Sequence, residues 1–342
     1  MSTKKASRKK QKKSRGRSAL AALLLSLCLL VPLGSCETLP APLRDLPAAE
    51  QLSDALRDAA DGLDGLADTL SRWVDAFLDL VYGTPAPEIA EGSTFAVHYI
   101  DVGQADCALV ACDGAYMLID GGNKGDADLI YSYLTNRGIE RLDYLVGSHA
   151  HEDHMGGLPG AVYAAEIGTA LCPVTESDSV YFSDVVKALA KQDKVLTVPE
   201  AGDTFDLGSA RVTVLGPMEE YEDPNDTSLV LMVEYGATSF LFTGDMEYAP
   251  EIDLVESGVD LSATVLKVGH HGSSSSTCYR FLREVMPEYA VISVGEDNKY
   301  GHPNEEVLSR LKDEDATIYR TDLHGTIVAR SDGESVTFTT EK

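Results

Sequence analysis

The run His149-Ala150-His151-Glu152-Asp153-His154 sets three imidazoles and the Asp153 carboxylate within six residues, directly after the largely apolar stretch Leu142–Gly147. Held that close, such groups need a positive ion between them. Imidazole nitrogens and carboxylate oxygens suit zinc or manganese. The preceding stretch reads as a strand. A tight turn at its end lets His149 and His151 converge on one ion while Asp153 and His154 face another. A solvated polar loop is the bland alternative, and it leaves the clustering of histidines without a cause.

Two further stretches have the same form. Phe240-Leu241-Phe242-Thr243-Gly244-Asp245 is an apolar strand ending in an acid, and a carboxylate there can bridge two cations. Val265-Leu266-Lys267-Val268-Gly269-His270-His271-Gly272-Ser273 is a strand ending in paired histidines within a glycine-flanked turn. Each is weak alone, because Gly-Asp turns and strand-end polar residues are common.

In this order, D-x-G-G at 120–122, H-x-H-x-D-H at 149–154, T-G-D at 243–245 and H-H-G-S at 270–273 resemble the metallo-β-lactamase superfamily. The finer resemblance is to the hydrolase domain of the DNA-uptake competence protein ComEC and its stand-alone, secreted relatives. Asp101-Val102-Gly103-Gln104-Ala105-Asp106 is similar to that group's D-V-G-Q-G-D opening, with Ala105 in place of a glycine. Asn225-Asp226-Thr227-Ser228-Leu229-Val230-Leu231 is similar to its N-x-x-S-L-V-L strand. Tyr300-Gly301-His302-Pro303 and Arg320-Thr321-Asp322 match its closing signatures.

The resemblance implies an α/β fold, a four-layer αββα sandwich over residues 93–342, with the site at one edge of two sheets. It implies one or two divalent ions. His149 and His151 would hold one; Asp153, His154 and one of the pair His270/His271, with His271 favoured, would hold the other; Asp245 would bridge. Asp120 would orient a ligand histidine from behind. The wider superfamily places another histidine between the second and fourth motifs. None occurs here from Met155 to Gly269, so Asn225, Asp226 and Ser228 are the residues standing there.

A metal lowers the pKa of bound water from near 16 to roughly 7, making hydroxide available at neutral pH for attack on phosphorus or a carbonyl carbon. Asp153 would hold the water's proton. His302 would protonate a leaving group or bind a phosphate oxygen, unless it is only a turn residue before Pro303. His270 would stand near the substrate. Gln104 and Asp106 line the site or cap a turn. Lys267 faces the site or, like most strand lysines, reaches solvent. Asp101 and Asp322 join the list of candidate site residues through their motifs. The leading expectation is a phosphodiesterase for nucleic acid or a small phosphodiester. A lactone or ester hydrolase, or a non-catalytic binding lipoprotein, are the alternatives.

Working outward, strands are expected at 95–100, 107–111, 116–119, 142–147, 210–215, 229–235, 239–243, 263–268, 289–293, 316–320 and 325–330. Helices are expected at 126–137, 158–165, 181–191, 278–285 and 304–312. Leu52, Leu56, Ala59, Leu63, Leu66, Leu70, Trp73, Phe77 and Leu80 step by fours and threes, an amphipathic heptad helix within a 36–92 tether segment. Residues 1–17 carry nine Lys or Arg and no acid, and the apolar run Ala19–Leu33 leads into Leu33-Gly34-Ser35-Cys36. That pattern is a signal peptide over 1–35 with Cys36 as a lipidation site. It places the protein, lipid-anchored, on the extracellular face of a bacterial cytoplasmic membrane.

Nine of the 28 basic residues and none of the 55 acids lie in that leader, so the remainder carries −36. Such a surface repels phosphate backbones at long range and makes long nucleic acid a poor partner compared with a small anionic substrate. No cysteine pair has CxxC spacing, so a cysteine zinc site is not expected. Cys36→Ala is expected to release the protein from the membrane fraction or to block its processing. A variant that stays membrane-bound at the parent's mature mass contradicts the anchor.

Overall fold

Phe95-Ala96-Val97-His98-Tyr99 alternates buried and half-buried side chains, the period of a strand covered on both faces to different depths. It is β1 in a computed structural model that describes residues 94–342. The leader, Cys36 and the heptad helix lie outside the described residues. In chain order follow β2 (Ala108–Cys112), β3 (Ala115–Ile119), α1 (Ala127–Thr135), β4 (Arg141–Val146), α2 (Glu152–Met155), α3 (Leu158–Ala164), β5 (Glu166–Leu171), α4 (Val180–Ala190) and β6 (Leu196–Thr197). The second half holds β7 (Thr204–Leu207), β8 (Ala210–Gly216), β9 (Val230–Tyr235), β10 (Thr238–Phe242), α5 (Tyr248–Ser257), β11 (Val265–Lys267), α6 (Tyr279–Val285), β12 (Tyr289–Ile292), α7 (Glu305–Asp313), β13 (Thr317–Arg320), β14 (Ile327–Ser331) and β15 (Val336–Thr340).

The strands form an eight-stranded sheet, β15-β14-β1-β2-β3-β4-β5-β6, and a seven-stranded sheet, β13-β12-β11-β10-β9-β8-β7. One apolar cluster joins Val97, Val110 and Met117 of the first sheet to Val212, Val233 and Phe240 of the second, so the sheets face each other. A second cluster seats α1, α3 and α4 on the outer face of the first sheet. A third seats α5, α6 and α7 on the outer face of the second. The layers are therefore helix, sheet, sheet, helix, as expected.

Both sheets change from antiparallel to parallel pairing part-way across. β2–β3 is antiparallel and β3–β4 parallel; β9–β10 is antiparallel and β10–β11 parallel. Where pairing changes and helices cross over, loops at the carboxyl ends of the strands diverge and leave a crevice. Residues 120–122, 147–154, 243–247 and 268–272 all follow such ends.

Several elements went unread in the sequence. β5 carries Gly168 and Ala170, weak strand formers; it is held by parallel pairing to β4 and β6. α5 has Pro250 and Glu251 in its first turn and no regular apolar stripe. Lys267 corrects the solvent-facing reading: it is only 3 % exposed. The four described cysteines are all free thiols. No helix among the described residues is long and apolar enough to cross a membrane.

His98 points from β1 to α1, where its Nδ1 lies 2.8 Å from the Tyr133 hydroxyl. Burial, and then the charges of Arg137 and Arg330, push its pKa down to about 4. The folded protein thus binds fewer protons here than the unfolded chain, whose histidine titrates near 6.5. This contribution to stability is complete above about pH 6.5 and is lost as pH falls toward 4. His98→Gln is expected to flatten the denaturant-midpoint slope in that window, and an unchanged slope contradicts the assignment.

Candidate metal centre

The ligand loops are built by close backbone approach. A Cβ on Gly157 would stand 2.0 Å from the Gly121 carbonyl oxygen, so no side chain fits there. Without one, Gly121 N–H donates to the His154 carbonyl at 2.7 Å and Gly157 N–H to the Gly122 carbonyl at 3.1 Å. This draws Asp120 beneath His154. Its carboxylate accepts from Ser148 N–H at 2.7 Å, from the Ser148 hydroxyl at 2.7 Å and from His154 Nδ1 at 2.9 Å. His154 Nδ1 thus carries the proton and Nε2 presents a lone pair.

His271 is fixed in the same way. Its Nδ1 donates to the Ser293 carbonyl at 3.0 Å, with the buried Asp106 carboxylate 3.3 Å away. Lys267 Nζ closes on the other Asp106 oxygen at 2.8 Å. His270 and His271 hold φ values of 48° and 52°, a strained left-handed pair that turns both rings inward.

Asp153, His154, Asp245 and His271 each offer one ligand atom, and these atoms lie within 4.8 Å of one another. Asp245 is central: its Oδ2 is 3.2 Å from His154 Nε2, 3.7 Å from His271 Nε2, 3.7 Å from His270 Nε2 and 3.9 Å from His149 Nε2. Asp153 Oδ2 is 3.4 Å from His271 Nε2. His149 Nε2 and His151 Nδ1 converge to 3.0 Å beside this group. The Ser228 hydroxyl lies 3.3 Å from His149 Nδ1 and accepts from Asp245 N–H at 3.0 Å, tying the 225–228 loop to both.

These residues fit a divalent metal. His154 Nε2, His271 Nε2 and Asp245 Oδ1 are buried without a hydrogen-bond partner. Buried polar atoms are rarely left so. Four carboxylates, Asp106, Asp120, Asp153 and Asp245, surround the site, and among the described residues the ammonium that answers them is that of Lys267. Burial opposes charge on His154 and His271, yet the carboxylates outweigh it: Asp245 and Asp120 hold His154 well above the ordinary histidine range, and Asp245 and Asp106 push His271 up to about 10. Both shifts favour a proton on the ring wherever no metal displaces it. His149 is the opposite case, held well below its usual value by burial and by the neighbouring His154.

Other expected site residues divide into two groups. Gln104 reaches the site: its Nε2 lies 3.5 Å from His302 Nδ1 and its Oε1 accepts from Gly295 N–H at 3.1 Å. The His302 ring packs edge-on to His270 at 5.8 Å. Asn225 Oδ1 is buried and unpartnered near the base of its loop. Asp101 and Asp322 are engaged elsewhere. Asp101 accepts from Gly103 N–H at 3.2 Å and lies 3.6 Å from Lys342 Nζ; Asp322 is clamped by Arg320 at 3.0 and 2.5 Å. Three participants were not foreseen: Ser148, Glu247 and Ser293. Glu247 Oε1 lies 3.0 Å from His270 Nδ1 and accepts from the Ser275 hydroxyl at 2.7 Å. Nothing in the sequence separates it from the chain's other acids; Ser148, abutting the histidine run, was open to notice.

A family model described as the metallo-β-lactamase superfamily matches residues 100–296. ComE operon protein 3 of Bacillus subtilis (strain 168) is 32% identical over 264 residues, covering 71% of this chain and 34% of that protein. Competence protein ComA of Neisseria gonorrhoeae is 33% identical over 251 residues, covering 70% and 33%. The chain thus spans about a third of the length of these relatives. Among solved structures, the metallo-β-lactamase fold protein YhfI from Bacillus subtilis overlays with a TM-score of 0.47 at 12% identity, covering 72% of this chain and 100% of that one.

The purified protein is expected to carry one to two equivalents of a divalent transition metal. Loading it near pH 7 should release protons into solution, and chelation should lower its melting temperature. A protein that neither binds zinc or manganese nor changes stability with them contradicts the site.

Proposed function

The chain belongs to the metallo-β-lactamase superfamily, and from that membership we propose that it is a metal-dependent phosphodiesterase. The observation that carries this reading is the set of buried, unpartnered ligand atoms on His154, His271 and Asp245, with two further imidazoles, His270 and His302, on the accessible side of Asp245. The name of one relative, Competence protein ComA, supports a phosphodiester such as nucleic acid as the substrate class.

One or two zinc or manganese ions, when bound, supply Lewis-acid activation of a water and offset charge developing at the scissile group. Asp153, His154, Asp245 and His271 would hold one ion, and His149 and His151 a second beside Asp245. The chain's own residues set the rest. Asp120 and the Ser293 carbonyl lock the Nδ1 protons of His154 and His271, so both rings stay oriented through turnover. Asp153, its side chain 31% exposed, is the carboxylate of the set most open to the crevice and accepts the attacking water's proton. His270 donates Nδ1–H to Glu247 and keeps a lone pair on Nε2 toward the site. Gln104 donates toward His302 Nδ1, which leaves Nε2–H free to bind a phosphate oxygen. Burial, and then His270, lower the His302 pKa, so it works as a neutral donor rather than as an acid.

The proposal keeps the protein at the extracellular membrane face through Cys36, supported by the basic, apolar and L-G-S-C sequence of its first 36 residues. The −36 charge beyond the leader favours small phosphodiesters or short strands over long DNA.

Asp153→Ala should keep the parent's circular-dichroism spectrum, because no strand depends on it, and lose on the order of 100-fold or more in rate on bis(p-nitrophenyl) phosphate. Asp245→Ala should do the same. Parent-like turnover by Asp153→Ala on every substrate the protein cleaves contradicts the mechanism.

A further inference from the structure

The loop from Gly295 to Asn304 is cross-braced by its own hydrogen bonds and presents a large exposed aromatic ring. Asn298 braces it: its amide nitrogen donates to the Gly295 carbonyl at 3.0 Å and to the His302 carbonyl at 2.6 Å, and its oxygen accepts from Tyr300 N–H at 3.2 Å and His302 N–H at 3.0 Å. The Asn304 amide donates to the Gly301 carbonyl at 2.9 Å. On this brace Tyr300 is 58% exposed. Its ring stacks on His302 with centroids 5.6 Å apart and planes at 25°. His302 meets His270 at 5.8 Å, and His270 Nε2 stands 3.7 Å from Asp245 Oδ2. A file of three rings therefore runs from solvent to the metal centre. The exposed Lys299 holds its Nζ 4.9 Å from the Tyr300 centroid and makes no ion pair among the described residues.

We propose that Tyr300 and Lys299 form a subsite for a planar, nucleobase-like ring carried by the substrate beside its scissile phosphodiester. This rests on the phosphodiesterase reading above. A ring that lies on Tyr300 loses apolar surface to a platform already fixed in place, so little ordering cost opposes binding. The Lys299 ammonium beside that ring, which makes no ion pair among the described residues, attracts a negatively charged substrate to this rim of a strongly acidic chain. Tyr300 alone would also suit a quaternary ammonium headgroup, the other aromatic-binding class of phosphodiester. The ammonium beside its ring argues against that, because two cations at one ring repel.

The test uses the metal-loaded full chain and two esters with the same p-nitrophenolate leaving group, thymidine 5′-(p-nitrophenyl phosphate) and methyl p-nitrophenyl phosphate. Tyr300→Ala should raise KM about tenfold on the thymidine ester, leave kcat within about twofold, and leave both constants for the methyl ester unchanged. Tyr300→Phe, which keeps the ring, should match the parent. Lys299→Met should also raise KM for the thymidine ester. The proposal is overturned if Tyr300→Ala handles the thymidine ester like the parent, if both esters suffer alike, or if p-nitrophenyl phosphocholine is preferred and depends on Tyr300. Calorimetric binding of tetrathymidylate separates the two readings. If no ester is cleaved, the phosphodiesterase reading fails; tenfold weaker binding by Tyr300→Ala then still supports the subsite, and equal binding overturns it.

Discussion

A carboxylate and four imidazoles cannot crowd together in a largely buried space without positive charge between them. Asp245 faces His154, His271, His270 and His149 within 3.2 to 3.9 Å, and almost no water reaches it. Desolvating such a group costs several kcal/mol unless a cation or protons compensate. The surrounding carboxylates sharpen this demand. Asp120 and Asp106 stand behind the two inner histidines, and among the described residues only Lys267 offsets them. The site thus demands positive charge, and divalent metal is the occupant that the His–Asp donor set suits.

The fold exists to hold that demand in place. Parallel pairing begins at β3–β4 in one sheet and at β10–β11 in the other, and the loops leaving those strands meet across the sandwich edge. Glycines at 121 and 157 let two of these loops touch backbone to backbone, which is what carries Asp120 to His154. Further out, chemistry gives way to recognition: Glu247 and Gln104 set the rings of His270 and His302, and the loop braced by Asn298 carries Tyr300 to the rim.

Candidate ligands were legible in the sequence because metal chemistry allows few residue types and because strand ends mark themselves by apolar runs. His149, His151, Asp153, His154, Asp245 and the pair His270/His271 stood out as candidates on that basis, while the resemblance in motif order supplied their assignment to ions, the preference for His271 and the αββα layering. What stayed hidden was decided by tertiary contact. Glu247 is one acid among 55 until α5 sets it beside His270. Lys267 looks like a surface strand lysine until Asp106 is seen opposite it. Asp101 and Asp322 carry motif positions but spend their carboxylates on a turn and on Arg320. β5 and α5 escaped because a glycine in the one and a proline in the other blur the periodicity that pairing and packing then override.

The central claim, that Asp245 and its neighbours enclose a metal ion, is tested most directly by anomalous diffraction from crystals of the protein grown with zinc or manganese. The account predicts a dominant anomalous peak about 2.0–2.2 Å from ligand atoms of Asp153, His154, Asp245 and His271, with any second peak beside His149 and His151. It is contradicted if no peak appears there, or if His154 and His271 instead donate both ring protons to the carboxylates and the metal lies elsewhere.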